Sequence, residues 1–424
     1  MAGPHPHPFT FRDYRCYWIA RLSATIAQSS MVVVVGWQVY DIARETMSPR
    51  DAAFQLGLIG IFQFLPLALL TLVVGWVADR IDRRFIVRLT ALLEALCAIS
   101  LAAMAFRHTT SLHALFAIAS LLGVARAFAN PAMGALAPNL VPPPVLPQAI
   151  AFSSVSWQSG AILGPALGGY LYAIDTPVPY AVAGFGFLLA FSMLMLIRPI
   201  PRTTIAKASP VRQMIDGLHY VRRNKMVLGA ISLDLFAVLL GGATAMLPVY
   251  ARDILHVGAS GLGHLRAAPA VGSTLTAIFL GFRPLRNHVG IKMLVAVCLF
   301  GAMTILFGLS TWMPLSLLAL AILGSADMVS VFVRQSLIQL YTPNEMRGRV
   351  GAVSSLFISG SNELGEAESG FVAALIGPVA AVVAGGIGAI GITLLWSRLF
   401  PELRRAKTFA PPAHLVQPAE ETRP

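Results

Sequence analysis

Gly75-Trp-Val-Ala-Asp79-Arg80-Ile-Asp82-Arg83-Arg84, residues 75–84, is a charged turn set between two apolar runs. The run before it, roughly 54–77, and the run after it, roughly 85–106, each supply the ~20 mostly apolar residues that a hydrocarbon core about 30 Å thick demands. With Arg80, Arg83, Arg84 and nearby Arg88, the turn is expected to stay on the cytoplasmic side, where membrane proteins retain their loop cations.

Composition extends this reading to the whole chain. The 424 residues are 56% hydrophobic and only 12% charged, with mean hydropathy +0.73, against about a quarter charged in soluble domains. The net charge of +12 does not point to nucleic acid, because the cations punctuate apolar runs instead of gathering on an aqueous face. Cys16, Cys97 and Cys298 are widely spaced and lie in or beside apolar stretches, which fits neither a disulfide framework nor a zinc site. No removable signal peptide is read in the first eleven residues. His5 and His7 alternate with prolines and read as a loose tail rather than a metal site.

A window of ~19 residues places spans near 16–40, 54–77, 85–106, 112–136, 148–173 and 180–197, then near 227–250, 261–282, 291–309, 313–336, 348–374 and 378–400. The fold class is therefore an all-α membrane protein with twelve transmembrane helices in two groups of six. Pro66, Pro131, Pro165, Pro248 and Pro269 fall inside spans, which membrane helices tolerate when neighbours satisfy the freed carbonyls. With both termini inside, most Lys and Arg fall on cytoplasmic segments, and the external loops hold Arg44, Arg50, Arg107 and Arg252. That asymmetry predicts cytoplasmic termini. The domains are an N-terminal bundle over 1–197, a linker over 198–225, a C-terminal bundle over 226–405 and a disordered tail over 406–424. In the linker, Val211, Met214, Ile215, Leu218 and Val221 recur at helical spacing, as in a helix lying in the membrane interface or a simple connector.

The two groups are weakly related in order. A shift of 201 residues superposes Pro142 on Pro343, Ala151 on Ala352, Gly164 on Gly365 and Gly169 on Gly370; a shift of 206 aligns Leu56 with Leu262, Gly57 with Gly263 and Gly75 with Gly281. This is the signature of a parallel duplication. The second copy of the opening turn keeps Gly281 and Arg286 but has Leu285 where Asp79 stands, so one half alone retains the full charged turn.

On these features the chain resembles the major facilitator superfamily from about residue 12 to 405. The family pattern GxxxDRxGRR appears as Gly75, Asp79, Arg80, Arg83 and Arg84, with Asp82 in place of the usual glycine; Asp is among the residues that tolerate a positive φ there. Gly160, Gly164, Pro165, Gly168 and Gly169 on the fifth span are similar to the glycine-proline motif of the family's exporters and antiporters. Small residues at this spacing let helix backbones approach closely, and proline bends the helix. Stretches around Asp234, Arg266, Arg347 and Glu363 to Gly370 resemble the branch of enterobactin exporters and macrolide and multidrug efflux proteins.

Ionisable groups within spans are costly and mark functional candidates. Arg21, Arg126, Asp234 and Asp327 fall on the first, fourth, seventh and tenth spans, which line the central cavity in the resembled fold. Glu363 and Glu366 on the eleventh span are three apart and share a helix face, whereas Glu368 points elsewhere. Arg126, Asp234, Asp327, Glu363 and Glu366 are thus candidates for proton coupling or cargo contact; the competing reading has the acids paired with Arg266, Arg126 or Arg334 to hold helices together. Glu94 on the third span is a further intramembrane acid. The turn at Gly75, Asp79, Arg80, Arg83 and Arg84 is the candidate gate.

No GxxxxGK[ST] loop, HExxH motif or nucleophile elbow is present, so an enzyme is not expected, and neither is a cofactor or metal. The expectation is a secondary efflux transporter of the bacterial inner membrane. It would export a small amphipathic, siderophore- or drug-like molecule by alternating access in exchange for protons, functional as a monomer. Its partners would be the small-molecule substrate, protons and the lipid bilayer. The alternatives are an uptake symporter of the same fold, whose cavity would be richer in Asn, Gln and charge, and a transport-inactive membrane receptor or scaffold.

Overall fold

The computed structural model of the protein describes residues 7–199, 210–283, 285, 287–343 and 346–409, and every regular element among them is helical. The first half contains α1 (Arg12–Thr46), α2 (Pro49–Arg80), α3 (Arg83–Phe106), α4 (Leu112–Leu136), α5 (Leu146–Ile174) and α6 (Pro177–Met195). A linker helix, α7 (Pro210–Arg223), leads to the second half. There the seventh span begins as α8 (Lys225–Leu240), breaks at Gly241 and Gly242, and continues through a 3-10 turn, Ala243–Met246, the short α9 (Leu247–Val249) and a π turn, Tyr250–Ile254. It is followed by α10 (Gly258–Phe282), α11 (Val289–Leu309), α12 (Met313–Leu340), α13 (Arg347–Ile376) and α14 (Pro378–Leu399), then the short α15 (Pro401–Arg405).

Among the described residues ten helical stretches are long and apolar enough to cross a membrane. The other two spans, α5 and α13, have 29 and 30 residues. Their apolar content is diluted by small polar residues and glycines in α5, and by Glu363, Glu366 and Glu368 in α13. The helices begin where the chain supplies side-chain caps. Ser48 Oγ accepts from Asp51 N, Ser111 Oγ from Ala114 N and Asn224 Oδ1 from Met226 N and Val227 N, satisfying donors that a helix start leaves open. Leu69, Phe185, Phe282 and Leu375 are among many large apolar side chains left outward-facing. Lipid is the solvent that such a surface needs.

The halves meet through two crossings, α2 on α13 and α5 on α10. At the first, a Cβ on Gly57 would lie 2.9 Å from Gly370 Cα; at the second, a Cβ on Gly169 would lie 3.0 Å from Gly263 Cα. These are the glycines that the internal repeat aligns, Gly57 with Gly263 and Gly169 with Gly370. The duplication therefore places one contact twice. Both crossings lie toward the end away from the chain termini, here termed the far end.

Several sequence expectations need correction. The N-terminal tail is not loose at His7 and the residues after it: Pro8–Thr10 form a 3-10 turn, and Phe9 packs edge-on against Trp18 and Phe152; His5 lies outside the described residues. The C-terminal segment stays attached through Phe409, because Gly290 N donates to Ala406 O at 3.1 Å and Phe409 packs on Phe332; the remainder of the tail lies outside the described residues. Helix α7 does not simply lie in an interface. Val221 and Met214 pack into the core of the second half, Gly217 abuts the Arg349 carbonyl, and Ile215 and Leu218 face outward. Asp82 has φ −60°, so the position tests no left-handed backbone. It serves as the N-cap of α3.

Candidate functional site

The centre of the molecule is organised by α13. Glu363 reaches across to the first half, where its Oε1 accepts from Arg126 Nη2 of α4 at 2.9 Å. The same guanidinium donates to Gln63 of α2. One turn on, Glu366 accepts from Arg266 Nη2 of α10 at 3.2 Å. The other arm of Arg266 donates to the Thr244 carbonyl at 2.8 Å, in the 3-10 turn Ala243–Met246, where that carbonyl also accepts from Leu247 N. Glu368 takes no part in either pair.

Beside the Arg266–Glu366 pair a narrow pocket opens between the halves, bordered by Val32, Leu56, Ile59, Gln63, Arg266 and Glu366. A second pocket continues from it past Val32 and Gln63 to Gln28, Met31, Glu94 and Arg126. The walls are chiefly aliphatic with a few convergent polar groups, the usual make-up of a small-molecule site.

The other two candidate acids stand apart. Asp234 of α8 is paired with Arg334 of α12 inside the second half, and both are nearly buried. Asp327 lines a separate pocket with Asp234, Phe300 and Ser330. The structure thus sets Glu366 on the first pocket and Arg126, with Glu363 paired to it, on the adjoining one, and leaves Asp234 and Asp327 within one bundle.

At the far end lies a second cross-half cluster. Arg44 Nε of α1 meets Asp253 Oδ2 of the π turn at 3.0 Å, and Tyr40 Oη donates to the same carboxylate. Beside it Arg252 pairs with Asp41 and donates to the Asp41 carbonyl at 2.9 Å. The two pairs have opposite polarity, one cation and one anion from each half. Sequence reading counted Arg44 and Arg252 only as external cations. The available signal was Asp41 and Arg44 one turn apart at a span end, with an adjacent Arg-Asp dipeptide at another.

The turn at 75–84 is held within the first half where its side chains are described. Asp82 caps α3 through Arg84 N at 2.9 Å and pairs with Arg84 Nη2 at 2.6 Å. The Arg84 guanidinium holds the Asp82 carboxyl below the usual carboxylate range. Arg84 and Arg88 also donate to the Ile197 carbonyl, and Arg88 to that of Leu194, at the end of α6. Cations suit the negative end of a helix. The side chains of Asp79 and Arg80 and the surroundings of Gly75 lie outside the described residues; Arg83 opens α3.

The glycine motif of α5 serves two partners. Gly160, Gly164 and Gly168 face Thr25, Ile26, Ser29 and Ser30 of α1, where added Cβ atoms would fall 2.6–2.7 Å from the nearest atoms. Gly169 and the Pro165 carbonyl instead face Ala259 and Gly263 of α10. The motif locks α5 to its own bundle on one side and supports the cross-half contact on the other.

Residues 17–366 match the family model of the Major Facilitator Superfamily. The chain belongs to that superfamily. This facilitator is 24% identical over 403 residues to the enterobactin exporter EntS of Escherichia coli O1:K1 / APEC, covering 95% of each chain, and equally to that of Shigella boydii serotype 18. Among solved structures, a bacterial homologue of the human lysosomal transporter Spinster, inward-facing and unoccupied, aligns with TM-score 0.70 and 17% identity over 95% of this chain and 99% of its own. A D-xylose-proton symporter aligns with TM-score 0.69 and 15% identity over 92% and 98%. These likenesses place the facilitator among twelve-helix transporters, which are not enzymes.

Proposed function

We propose that this facilitator is a proton-coupled exporter of small amphipathic molecules across the bacterial inner membrane, with both termini cytoplasmic. The observation that carries the reading is the Arg126–Glu363 pair, which ties the two halves at the centre beside the Arg266–Glu366 pair. Glu366 borders the first pocket and Glu363 is bound to Arg126, which borders the second; protonating either carboxylate leaves an arginine without its counter-ion. Since a partly buried charge without a partner is costly, proton binding would bias the halves toward a different arrangement. That is the coupling an alternating-access exporter requires.

With the termini inside, the far end is external, and its paired charges and glycine crossings make this a state shut to the outside. The turn at Gly75 to Arg84 would close the opposite side when the halves rock. Asp234 is assigned to holding the second half together through Arg334, and Asp327, on the pocket beside it, to a reserve proton site. The aliphatic walls favour bulky amphipathic cargo over sugars or nucleosides, and the likeness to enterobactin exporters puts a siderophore first among candidates, ahead of macrolides and cationic dyes. The protein acts as a monomer in this reading, since each half supplies one wall of the cavity.

The test is accumulation of siderophore, macrolide and dye in cells with and without the protein, followed by everted vesicles carrying an imposed pH gradient. Gradient-driven uptake of one of these compounds into everted vesicles is expected, and Glu366→Gln should abolish the response to the gradient. Transport confined to the uptake direction in whole cells would replace the exporter with a symporter. No transport of the panel under any gradient would favour the receptor reading.

A further inference from the structure

Glu94 is 5% exposed in the middle of α3, and no hydrogen bond or ion pair reaches it among the described residues. It borders the pocket that also holds Arg126. The other elements around that pocket contribute no charge: α1 presents Gln28 and Met31, α2 presents Gln63 and α6 presents Phe187. Arg126 is the cation facing Glu94, and it is committed to Glu363 on α13, with Glu366 one turn further along. One guanidinium therefore stands between two carboxyl groups that belong to opposite halves of the molecule.

We infer that Arg126 is a two-position switch, held by Glu363 of the second half in the state seen here and by Glu94 of the first half after the halves have moved. The exchange balances in protons: the Glu94 carboxylic acid and the Glu363 carboxylate paired with Arg126 become the Glu94 carboxylate paired with Arg126 and the Glu363 carboxylic acid. The O–H bond on Glu94 breaks, one forms on Glu363, and the net charge of the pocket is unchanged. Arg126 is never left without a counter-ion, which would otherwise oppose the change. A proton is handed from a site inside one bundle to a site on the facing bundle, and the central tie between halves opens with it. Glu94 acts through Arg126 and is a positioning residue. The inference rests on the transport reading for its purpose only, since the pairing can be read without cargo.

The full chain in lipid nanodiscs is examined by infrared spectroscopy of the protonated-carboxyl stretch near neutral pH, with thermal unfolding of the same samples. Glu94→Gln should remove band intensity present in the unaltered protein. In Glu363→Gln, Arg126 must turn to Glu94, so the Glu94 contribution should vanish there as well. Each single variant should unfold within a few degrees of the unaltered protein, and the double variant should lose far more than the sum. A Glu94 band that persists in Glu363→Gln, or additive losses of stability, would overturn the switch. If Glu363→Gln does not fold, Glu94→Gln decides: an unchanged carboxyl band there is equally fatal. Failure to transport any tested compound would leave these readings intact and count only against the exporter assignment.

Discussion

Asp253→Asn is the most direct test of the far-end cluster. The carboxylate of Asp253 is three-quarters covered and accepts from both Arg44 Nε and Tyr40 Oη across the boundary between halves. A hydrogen bond to a charged group contributes about 1.5–3 kcal/mol, and an exposed ion pair only about 0.2–1 kcal/mol. Removing the charge of this partly covered site while keeping its shape should cost the shut state about 2 kcal/mol. At about 1.4 kcal/mol per tenfold, the far-end-open population should rise about 30-fold. Leu56 is buried on the cavity wall near this end, so a cysteine there reports the opening. Leu56→Cys in a chain otherwise freed of cysteine should react with a membrane-impermeant maleimide added outside about 30-fold faster when Asp253→Asn is present. Arg44→Asp combined with Asp253→Arg should return the rate toward its starting value. Equal labelling with and without Asp253→Asn would refute the idea that these charges hold the far end shut.

The crossings, the cap and the buried pair make further predictions. Gly169→Ala puts a Cβ 2.5 Å from the Ala259 carbonyl oxygen; the forced separation should cost about 1–3 kcal/mol, read as faster labelling at the same reporter and a lower Tm. Asp82→Ala should lose the α3 cap at a cost of about 1 kcal/mol in thermal unfolding. Asp82→Asn keeps the cap geometry and loses the charge. Because the folded-state pKa of Asp82 is depressed by Arg84, its stabilisation is present above the ordinary carboxylate value of about 4 and lost as pH falls through the depressed one. The Tm deficit of Asp82→Asn should thus be present near neutrality and close in acid. Asp234→Asn leaves Arg334, 3% exposed, without its counter-ion, for a loss of about 3–5 kcal/mol. Normal stability in that variant would refute the structural role of the pair.

The twelve spans were legible because a bilayer imposes length and polarity on each segment independently of its neighbours. Glu363 and Glu366 could be placed on one face by spacing alone, yet nothing local tells that one turns to Arg126 of the other half and the other to Arg266 of its own. The choice depends on where α4 and α10 stand relative to α13. The far-end cluster was hidden for the same reason: Arg252 and Asp41 are 211 residues apart, and loop counting treats each as a separate hydrophilic residue. For the glycine motif, spacing announced close packing without saying against what. Gly168 and Gly169 are successive residues of one helix, about 100° apart around its axis, so they serve different neighbours, α1 and α10. Asp82 illustrates a different limit: comparison with a family pattern pointed to the backbone, whereas the side chain supplies the reason for the residue.

The paired crossings bear on the origin of the molecule. Gly57 against Gly370 and Gly169 against Gly263 are one contact written twice, which is what a two-fold axis does to any isologous interface. A six-helix ancestor would have assembled as a homodimer with this glycine contact on each side of its axis. Fusion of the copies then freed them to diverge in charge while the crossings stayed matched. Arg266 has Gly60 as its counterpart in the 206-residue alignment, and Glu363 has Ile162 in the 201-residue alignment. The scaffold kept its symmetry, and the charged pairs at its centre stand where that symmetry was abandoned.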